Sequence, residues 1–306
     1  MLCLSISESY LRYFLVQDNR VKSKYSITQK NKLDYKNLTA DEFYDNLSAV
    51  FSSLAQKESI KNQEVALSLP SNWVDLSFYE TDPELSLSDQ EEFFEWKNAQ
   101  RFGAQADDLT FQYYPVENAD SDKYLVVAYP LKIKKVLAKS AQDTDLTIDF
   151  IDLDIFSTLS ALNFLDVDTD NQPFAIWSVN KVASTVLVME NNFISNYLEI
   201  DHIKEESSVV KNAAPVEPSL INDLKSVISA EKPEFEFLSS LFIRRQDMDS
   251  AFFEKIKSMD NNTIFTLDDE IHDQFDKLDS DLFDDANQFS DYLEVLGLLG
   301  REVESL

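Results

Sequence analysis

Glycine is almost absent from this chain of 306 residues, in which only Gly103, Gly297 and Gly300 occur. At average usage, about twenty glycines would be present. Phosphate-binding turns commonly contain glycine, because their backbone N–H groups must approach the ligand closely or adopt positive φ. The scarcity of glycine argues against an ordinary phosphate cradle, and the lack of a G-x-G-x-x-G motif excludes a dinucleotide-binding fingerprint.

Cysteine, histidine and long apolar runs are also scarce. The single cysteine, Cys3, excludes an internal disulfide, and two distant histidines, His202 and His272, offer little material for a zinc site or a catalytic triad. No apolar run approaches the roughly 18–20 residues of a membrane span, and residues 1–8 lack the features of a signal peptide. We expect a cytoplasmic protein without direct membrane insertion, catalytic residues, metal site or cofactor.

What the chain has in excess is negative charge, with a formal net charge of −29 at pH 7. This charge opposes approach to nucleic acid phosphates and to anionic lipids, because both are bound through Lys and Arg. We therefore expect no binding to nucleic acid. Two roles for the acidic surface stay open, namely simple solvation and recognition of a basic partner.

The pattern of apolar residues predicts two similar halves. In the first half, Thr39 and Glu42 form a capping box at the start of an amphipathic helix. The strands predicted around that helix are residues 2–7, 10–16, 20–27 and 65–69. The order recurs in the second half, with strands at 174–179, 183–189 and 193–200, a loop at 204–218, a helix at 219–229, a strand at 235–241, a helix at 250–258 and a strand at 263–267. The repeat predicts two lobes, 1–165 and 166–306, with a C-terminal helix at 285–297 that packs back on the first lobe.

Residues 71–130 are predicted to form a small subdomain inserted into the first lobe. The predicted elements are a strand at 73–79, a helix from a Ser88 cap to Phe102, and a hairpin of residues 108–114 and 123–129. After the subdomain, a helix begins at Pro130 and a strand spans residues 147–153. Asp154 is expected to cap the next helix, at 155–165.

The duplicated order of strands and helices resembles the actin-like ATPase fold, which is ribonuclease H-like. The chain is similar to the PilM-type proteins of the inner-membrane platforms of type IV pili and type II secretion systems. The segments that carry the resemblance read LSLPSNWV at 67–74, LVVAYPL at 125–131 and LEVLGLLG at 293–300. The resemblance implies an α/β fold of two lobes, each with a mixed five-stranded sheet, and a small inserted subdomain.

The nucleotide motifs of that fold are degenerate here. The resemblance implies two D-x-G turns that organise Mg²⁺ and phosphate, and a Gly-Gly pair near the adenosine. The corresponding segments read LSISES at 4–9, SVN at 178–180 and IRR at 243–245. The resemblance therefore assigns a degenerate nucleotide site to Ser5, Ser7, Ser9, Ser178, Asn180, Arg244 and Arg245.

Two interpretations of these residues stay open. Serine hydroxyls can hydrogen-bond phosphate, but they do not supply the carboxylates on which Mg²⁺ binding usually depends. The turns are then either ordinary turns of a site that has lost its function, or parts of a rewired nucleotide site. Likewise, Arg244 and Arg245 either bind an anion or form intramolecular salt bridges in this acidic chain.

The resemblance also implies a protein partner, a short cytoplasmic segment of a membrane protein that lies in a groove beside the inserted subdomain. The candidate partner-binding residues are the aromatic side chains Phe94, Trp96, Phe102 and Tyr113. Our leading hypothesis is a non-catalytic actin-like scaffold that binds a protein partner. The alternatives are a divergent ATPase or small-molecule kinase that uses the interlobe cleft, and a homodimeric structural protein.

Overall fold

The computed structural model of the chain describes residues 1–7, 10–17, 20–28, 39–56, 60, 62–82, 84–116, 122–179, 183–203, 206–229, 233–245, 258, 263–267 and 290–304. The strands are β1 Leu2–Ile6, β2 Tyr10–Gln17, β3 Arg20–Thr28, β4 Glu64–Leu69, β5 Asp75–Glu80, β6 Leu109–Pro115, β7 Lys123–Pro130, β8 Thr147–Leu153, β9 Phe174–Val179, β10 Ala183–Glu190, β11 Phe193–Ile203, β12 Glu206–Asn212, β13 Ser240–Arg245 and β14 Ile264–Thr266. The helices within these ranges are α1 Ala40–Gln56, α2 Leu87–Phe102, α3 Leu131–Gln142, α4 Asp154–Phe164, α5 Pro218–Ser229 and α6 Leu293–Glu304.

The two large sheets have the same core order and the same strand directions. In the first sheet, of order β3-β2-β1-β4-β8, the first three strands are antiparallel and β1, β4 and β8 are parallel. The second sheet, of order β12-β11-β10-β9-β13-β14, repeats this arrangement from β11 to β14. The duplicated α/β fold is therefore confirmed. The inserted subdomain forms a separate antiparallel sheet, of order β5-β7-β6.

Local sequence signals account for several of these elements. Every residue of β1 and β9 is buried, as expected for central strands covered on both faces. At the start of α1, the Glu42 N–H donates to Thr39 Oγ1 at 3.3 Å, while the Thr39 N–H donates to Glu42 Oε2 at 2.9 Å. The predicted capping box is thus confirmed, and it satisfies backbone donors that the helix leaves unpaired.

The second sheet differs from its prediction in two places. It has six strands, because residues 206–212 of the predicted loop form β12 along the outer edge of β11. The strand predicted at 235–241 instead begins at Ser240. The buried carboxylate of Asp223 accepts hydrogen bonds from the N–H groups of residues 236, 237 and 238, so these groups are not available to a strand ladder.

Three predicted boundaries in the first half are also corrected. The cap of α2 is Ser86, not Ser88, since Ser86 Oγ accepts from the Asp89 N–H at 3.2 Å. Residues 71–73 form a 3₁₀ turn before β5. Asp154 is the first residue of α4 and Leu153 occupies the cap position. Residues 250–257 of the helix predicted at 250–258 and residues 285–289 of the C-terminal helix lie outside the described residues.

One apolar cluster spans both halves of the chain. One face of the second sheet, including Phe174, Ile176 and Phe242, packs into the same cluster as the buried residues of β1, β4 and α1. The C-terminal helix α6 packs on α4, where a Cβ at Gly297 would lie 1.7 Å from the carbonyl oxygen of Ser157. Glycine at this position therefore allows the two helices to cross at close range. The chain division at residue 165 stays a prediction.

Candidate functional site

The first degenerate turn is held by its own side chains. Ser7 Oγ accepts a hydrogen bond from the Tyr10 N–H at 2.9 Å and donates to the Tyr10 carbonyl at 3.0 Å. Ser5 is buried in β1, opposite Ser68 of β4. The hydroxyl of Ser7 is thus engaged in closing the turn between β1 and β2, while Ser9 lies outside the described residues.

The second degenerate turn follows β9, where Ser178 is also buried. Ser178 is paired with Arg244 of β13 on one side and with Thr185 of β10 on the other. Asn180, at the turn itself, lies outside the described residues. The duplication therefore places Ser5 and Ser178 at matching positions of the two central strands.

Arg244 is enclosed between elements of both halves. Its side chain is 1% exposed, and Nη2 lies 2.6 Å from Glu294 Oε1 of α6. Its Nη1 donates to Thr158 Oγ1 of α4 at 3.0 Å. Arg244 therefore forms the intramolecular ion pair that was one of the two alternatives for it. The backbone of Arg245 continues β13, and its side chain lies outside the described residues.

A second set of polar contacts crosses between the lobes near the start of the inserted subdomain. Tyr197 of β11 donates its hydroxyl to Ser71 Oγ at 3.1 Å, and the Ser71 N–H donates to Asp154 Oδ1 at 2.9 Å. Lys211 of β12 donates to the Val74 carbonyl at 2.9 Å and to Glu199 Oε1 at 3.3 Å. We call these five side chains and the Arg244–Glu294 pair the interlobe network.

Sequence reasoning did not identify most of this network. The sequence predicts Asp154 as a helix cap, but Tyr197 has the pattern of an ordinary buried strand residue. Lys211 lies in the segment that was predicted to be a loop. No local spacing relates Tyr197 to Ser71, which is 126 residues away. Only the crossing of the two lobes brings these groups together.

The carboxyl group of Asp154 has an unusual environment. Burial, reinforced by the nearby negative charge of Glu294, raises the pKa of Asp154 to about 6, although Ser71 and Arg244 act in the opposite direction. Burial likewise raises the pKa of Tyr197 well above its ordinary value. At neutral pH, above this pKa, the Asp154 carboxylate is therefore charged and lies close to both Glu294 and Arg244.

A further buried carboxylate, Asp152, lies at the end of β8. It accepts a hydrogen bond from Ser157 Oγ at 2.8 Å, and Arg301 Nη2 of α6 lies 3.2 Å from it. Burial raises the pKa of Asp152, while Arg301 opposes the change. Within the described ranges, no three His, Cys, Asp or Glu side chains are grouped closely enough to hold a metal ion.

The predicted partner-binding aromatics have different environments. Phe94 is buried between α2 and its sheet, where it stacks on Tyr113 at 4.3 Å between ring centroids. Asn98 donates to the Tyr113 hydroxyl at 2.6 Å, and Phe102 packs on Phe111. Trp96 projects outward and is 52% exposed. Phe94 is therefore a core residue of the subdomain, and Trp96 is the member of the set that is open to contact.

Neither a protein-family model nor a curated protein matches the sequence, but solved structures resemble the fold. The PilM–PilN type IV pilus biogenesis complex has 12% identity and a TM-score of 0.65, over 99% of this chain and 98% of that chain. The cytoplasmic domain of EpsL, an inner-membrane component of the type II secretion system of Vibrio cholerae, has 11% identity and a TM-score of 0.45, over 81% of this chain and 83% of that chain. A protein of unknown function with an actin-like ATPase fold from Bacteroides thetaiotaomicron has 11% identity and a TM-score of 0.49, over 91% of this chain and 95% of that chain.

The likeness to the PilM–PilN complex confirms the actin-like fold that the sequence predicted. At 12% identity, it concerns the fold alone. In the part of the chain that the structure describes, no helix combines the length and apolar character needed to cross a membrane.

Proposed function

We propose that this chain is a non-catalytic, cytoplasmic scaffold with an actin-like fold that binds a protein partner. The observation that carries the proposal is the interlobe network. Arg244, at the position assigned to the adenosine side of a nucleotide site, is buried against Glu294 and Thr158. A buried guanidinium that is already paired is costly to release, because its partner would keep an uncompensated charge.

The two degenerate turns support the same proposal. Mg²⁺ is usually bound through one or two carboxylates together with substrate phosphates. Ser5 and Ser178 supply no carboxylate at the matching strand positions, and the Ser7 hydroxyl is engaged with Tyr10. Nearby carboxylates such as Asp154 and Glu294 would repel phosphate unless a cation lay between them.

The partner that we propose is a protein segment that binds at the inserted subdomain, such as a short cytoplasmic segment of a membrane protein. The solved structure with a similar fold is named as a complex of PilM and PilN, which supports a protein as the partner. The net charge of −29 opposes nucleic acid as the partner. Such a scaffold would act within a larger protein assembly, such as a pilus or secretion platform.

Isothermal titration of the folded chain with Mg-ATP and with Mg-ADP tests the expected absence of nucleotide binding. We expect no binding with a dissociation constant below about 0.1 mM. The double variant Ser5→Asp, Ser178→Asp should not restore binding. It still lacks glycine in both turns, and the position expected to contact adenosine is still occupied by Arg244 paired with Glu294. Tighter binding by the unaltered chain would refute the scaffold proposal and favour a divergent ATPase or kinase. An active actin-like ATPase, titrated under the same conditions, serves as the positive control.

A further inference from the structure

The outer side of α2 carries an exposed aromatic pair. Trp96 is 52% exposed, and the half-buried ring of Phe93 lies 5.9 Å from it between centroids. Lys97 Nζ lies 5.3 Å from the centroid of Phe93 and 5.9 Å from that of Trp96. Single exposed apolar residues are common on protein surfaces and need no explanation. Here two neighbouring rings form one aromatic surface. Aromatic side chains such as Trp are enriched in binding hot spots.

The other two tryptophans of the chain are buried. Trp73 is 3% exposed and Trp177 is fully buried, with its indole N–H donating to Ser184 Oγ. Both therefore contribute to the core, as most large aromatic side chains do. Trp96 has no comparable structural role, because Phe94 and Tyr113 already fill the space between α2 and its sheet.

Exposed carboxylates of α2 lie beside Trp96 on the side away from Lys97. Glu91, Glu92 and Glu95 are all exposed on α2. Glu92 lies one helical turn before Trp96, and Glu95 is adjacent to it, so both can reach a ligand that covers the indole. We define the Trp96 patch as Phe93, Trp96, Lys97, Glu92 and Glu95. Its chemistry complements a segment that presents Lys or Arg around an apolar side chain.

We propose that the Trp96 patch is the docking surface for a basic protein segment with at least one apolar anchor. The inference rests on the proposed scaffold function and specifies its partner. The apolar anchor would cover the indole, while Lys or Arg side chains pair with the glutamates at the rim. An anionic membrane is disfavoured as the occupant, because the glutamates would face lipid headgroups of the same charge.

The first measurement uses a synthetic amphipathic peptide of about fourteen residues, or four helical turns, made of Lys and Leu. A peptide with Glu in place of Lys is the control. The probe has no tryptophan and Trp73 and Trp177 are buried, so acrylamide quenching of the protein reports mainly on Trp96. We expect the Lys peptide to protect the indole from acrylamide and the Glu peptide to have no effect. The Trp96→Phe variant should lack the quenched component.

The second measurement separates specific docking from general attraction to an acidic protein. With a fluorescently labelled Lys peptide, Trp96→Ala should weaken binding by about tenfold or more, as for an aromatic hot spot. Tyr114→Ala removes another exposed aromatic ring of the same subdomain, on β6, and likewise leaves the net charge unchanged. This variant should bind as tightly as the unaltered chain. Circular dichroism of both variants checks that they are folded.

Three outcomes would overturn the inference. The first is equal affinity of the unaltered chain and of Trp96→Ala for the Lys peptide. The second is a larger loss of this affinity in Tyr114→Ala than in Trp96→Ala. The third is self-association of the chain that Trp96→Ala abolishes. None of them depends on nucleotide. The titration with Mg-ATP can therefore support the scaffold proposal while the Trp96 patch fails, or refute the scaffold while the patch still binds the peptide.

Discussion

Replacing Asp154 by Asn should stabilise the protein at neutral pH. The Oδ1 atom of Asp154 accepts the Ser71 N–H at 2.9 Å, and the amide oxygen of Asn can keep this hydrogen bond. What the variant removes is the negative charge that burial and Glu294 disfavour. In the unaltered chain that charge has to form inside the interlobe network once the pH exceeds the pKa of the group.

The sign and size of the effect follow from the pKa of Asp154, which rises from an ordinary value of 3.8 to about 6 on folding. The folded state holds this proton more tightly than the unfolded state, so its contribution to stability falls as pH rises from about 4 to 6 and is constant above about 7. At one unit of pKa per 1.36 kcal/mol, the full cost at pH 7 is about 3 kcal/mol. About half of this cost is already present at pH 5, because Asp154 of the unfolded chain is already ionised at that pH.

Urea unfolding of both proteins between pH 5 and pH 8 measures the difference. The gain in free energy of unfolding for Asp154→Asn should increase by about 1.3 kcal/mol from pH 5 to pH 7 and then level off. Asp149→Asn makes the same charge change at an exposed position of β8 and controls for the general loss of one carboxylate. A gain that does not change with pH, or an Asn variant that is less stable at pH 7, would contradict the reasoning.

Two other substitutions test long-range contacts of α6. Arg244→Met should lower the free energy of unfolding by about 3–5 kcal/mol, because Glu294 would keep a buried, uncompensated charge; adding Glu294→Met should recover most of the loss, and a simply additive double-mutant cycle by urea unfolding would argue against the pair. Gly297→Ala should destabilise the protein by about 1–3 kcal/mol or more, because the new Cβ overlaps the Ser157 carbonyl oxygen. A thermal melt in which Gly297→Ala is as stable as the unaltered chain would refute the packing argument.

Much of the fold could be predicted because its signals are local. The three opening strands end within a residue or two of their predicted bounds, and the capping box of Thr39 and Glu42 needs only the spacing of two side chains. The repeated order of strands and helices gave the duplicated architecture, since each element carries its own apolar period. One boundary error occurs where a distant polar group intervenes, since Asp223 binds the backbone just before β13.

The candidate site was predictable only in part. The loss of the Asp and Gly positions from two D-x-G motifs could be recognised from the chain alone, because a replaced residue is visible without a structure. The sequence did not show which aromatic ring of α2 is open to solvent, because Phe94 and Trp96 are both large aromatic residues that lie two positions apart. The direction of each side chain was decided by the sheet on which α2 packs.

The amino-acid sequence by itself therefore determined the strands, the helices and their duplication, because hydrogen bonding and apolar periodicity act over a few residues. Only the tertiary structure decided that Arg244 is paired with Glu294 and that Tyr197 reaches Ser71. These contacts join residues far apart in the chain, and their distances depend on how the two halves pack against each other. No local pattern encodes that packing, of which the close approach of α6 to Ser157 at Gly297 is one part.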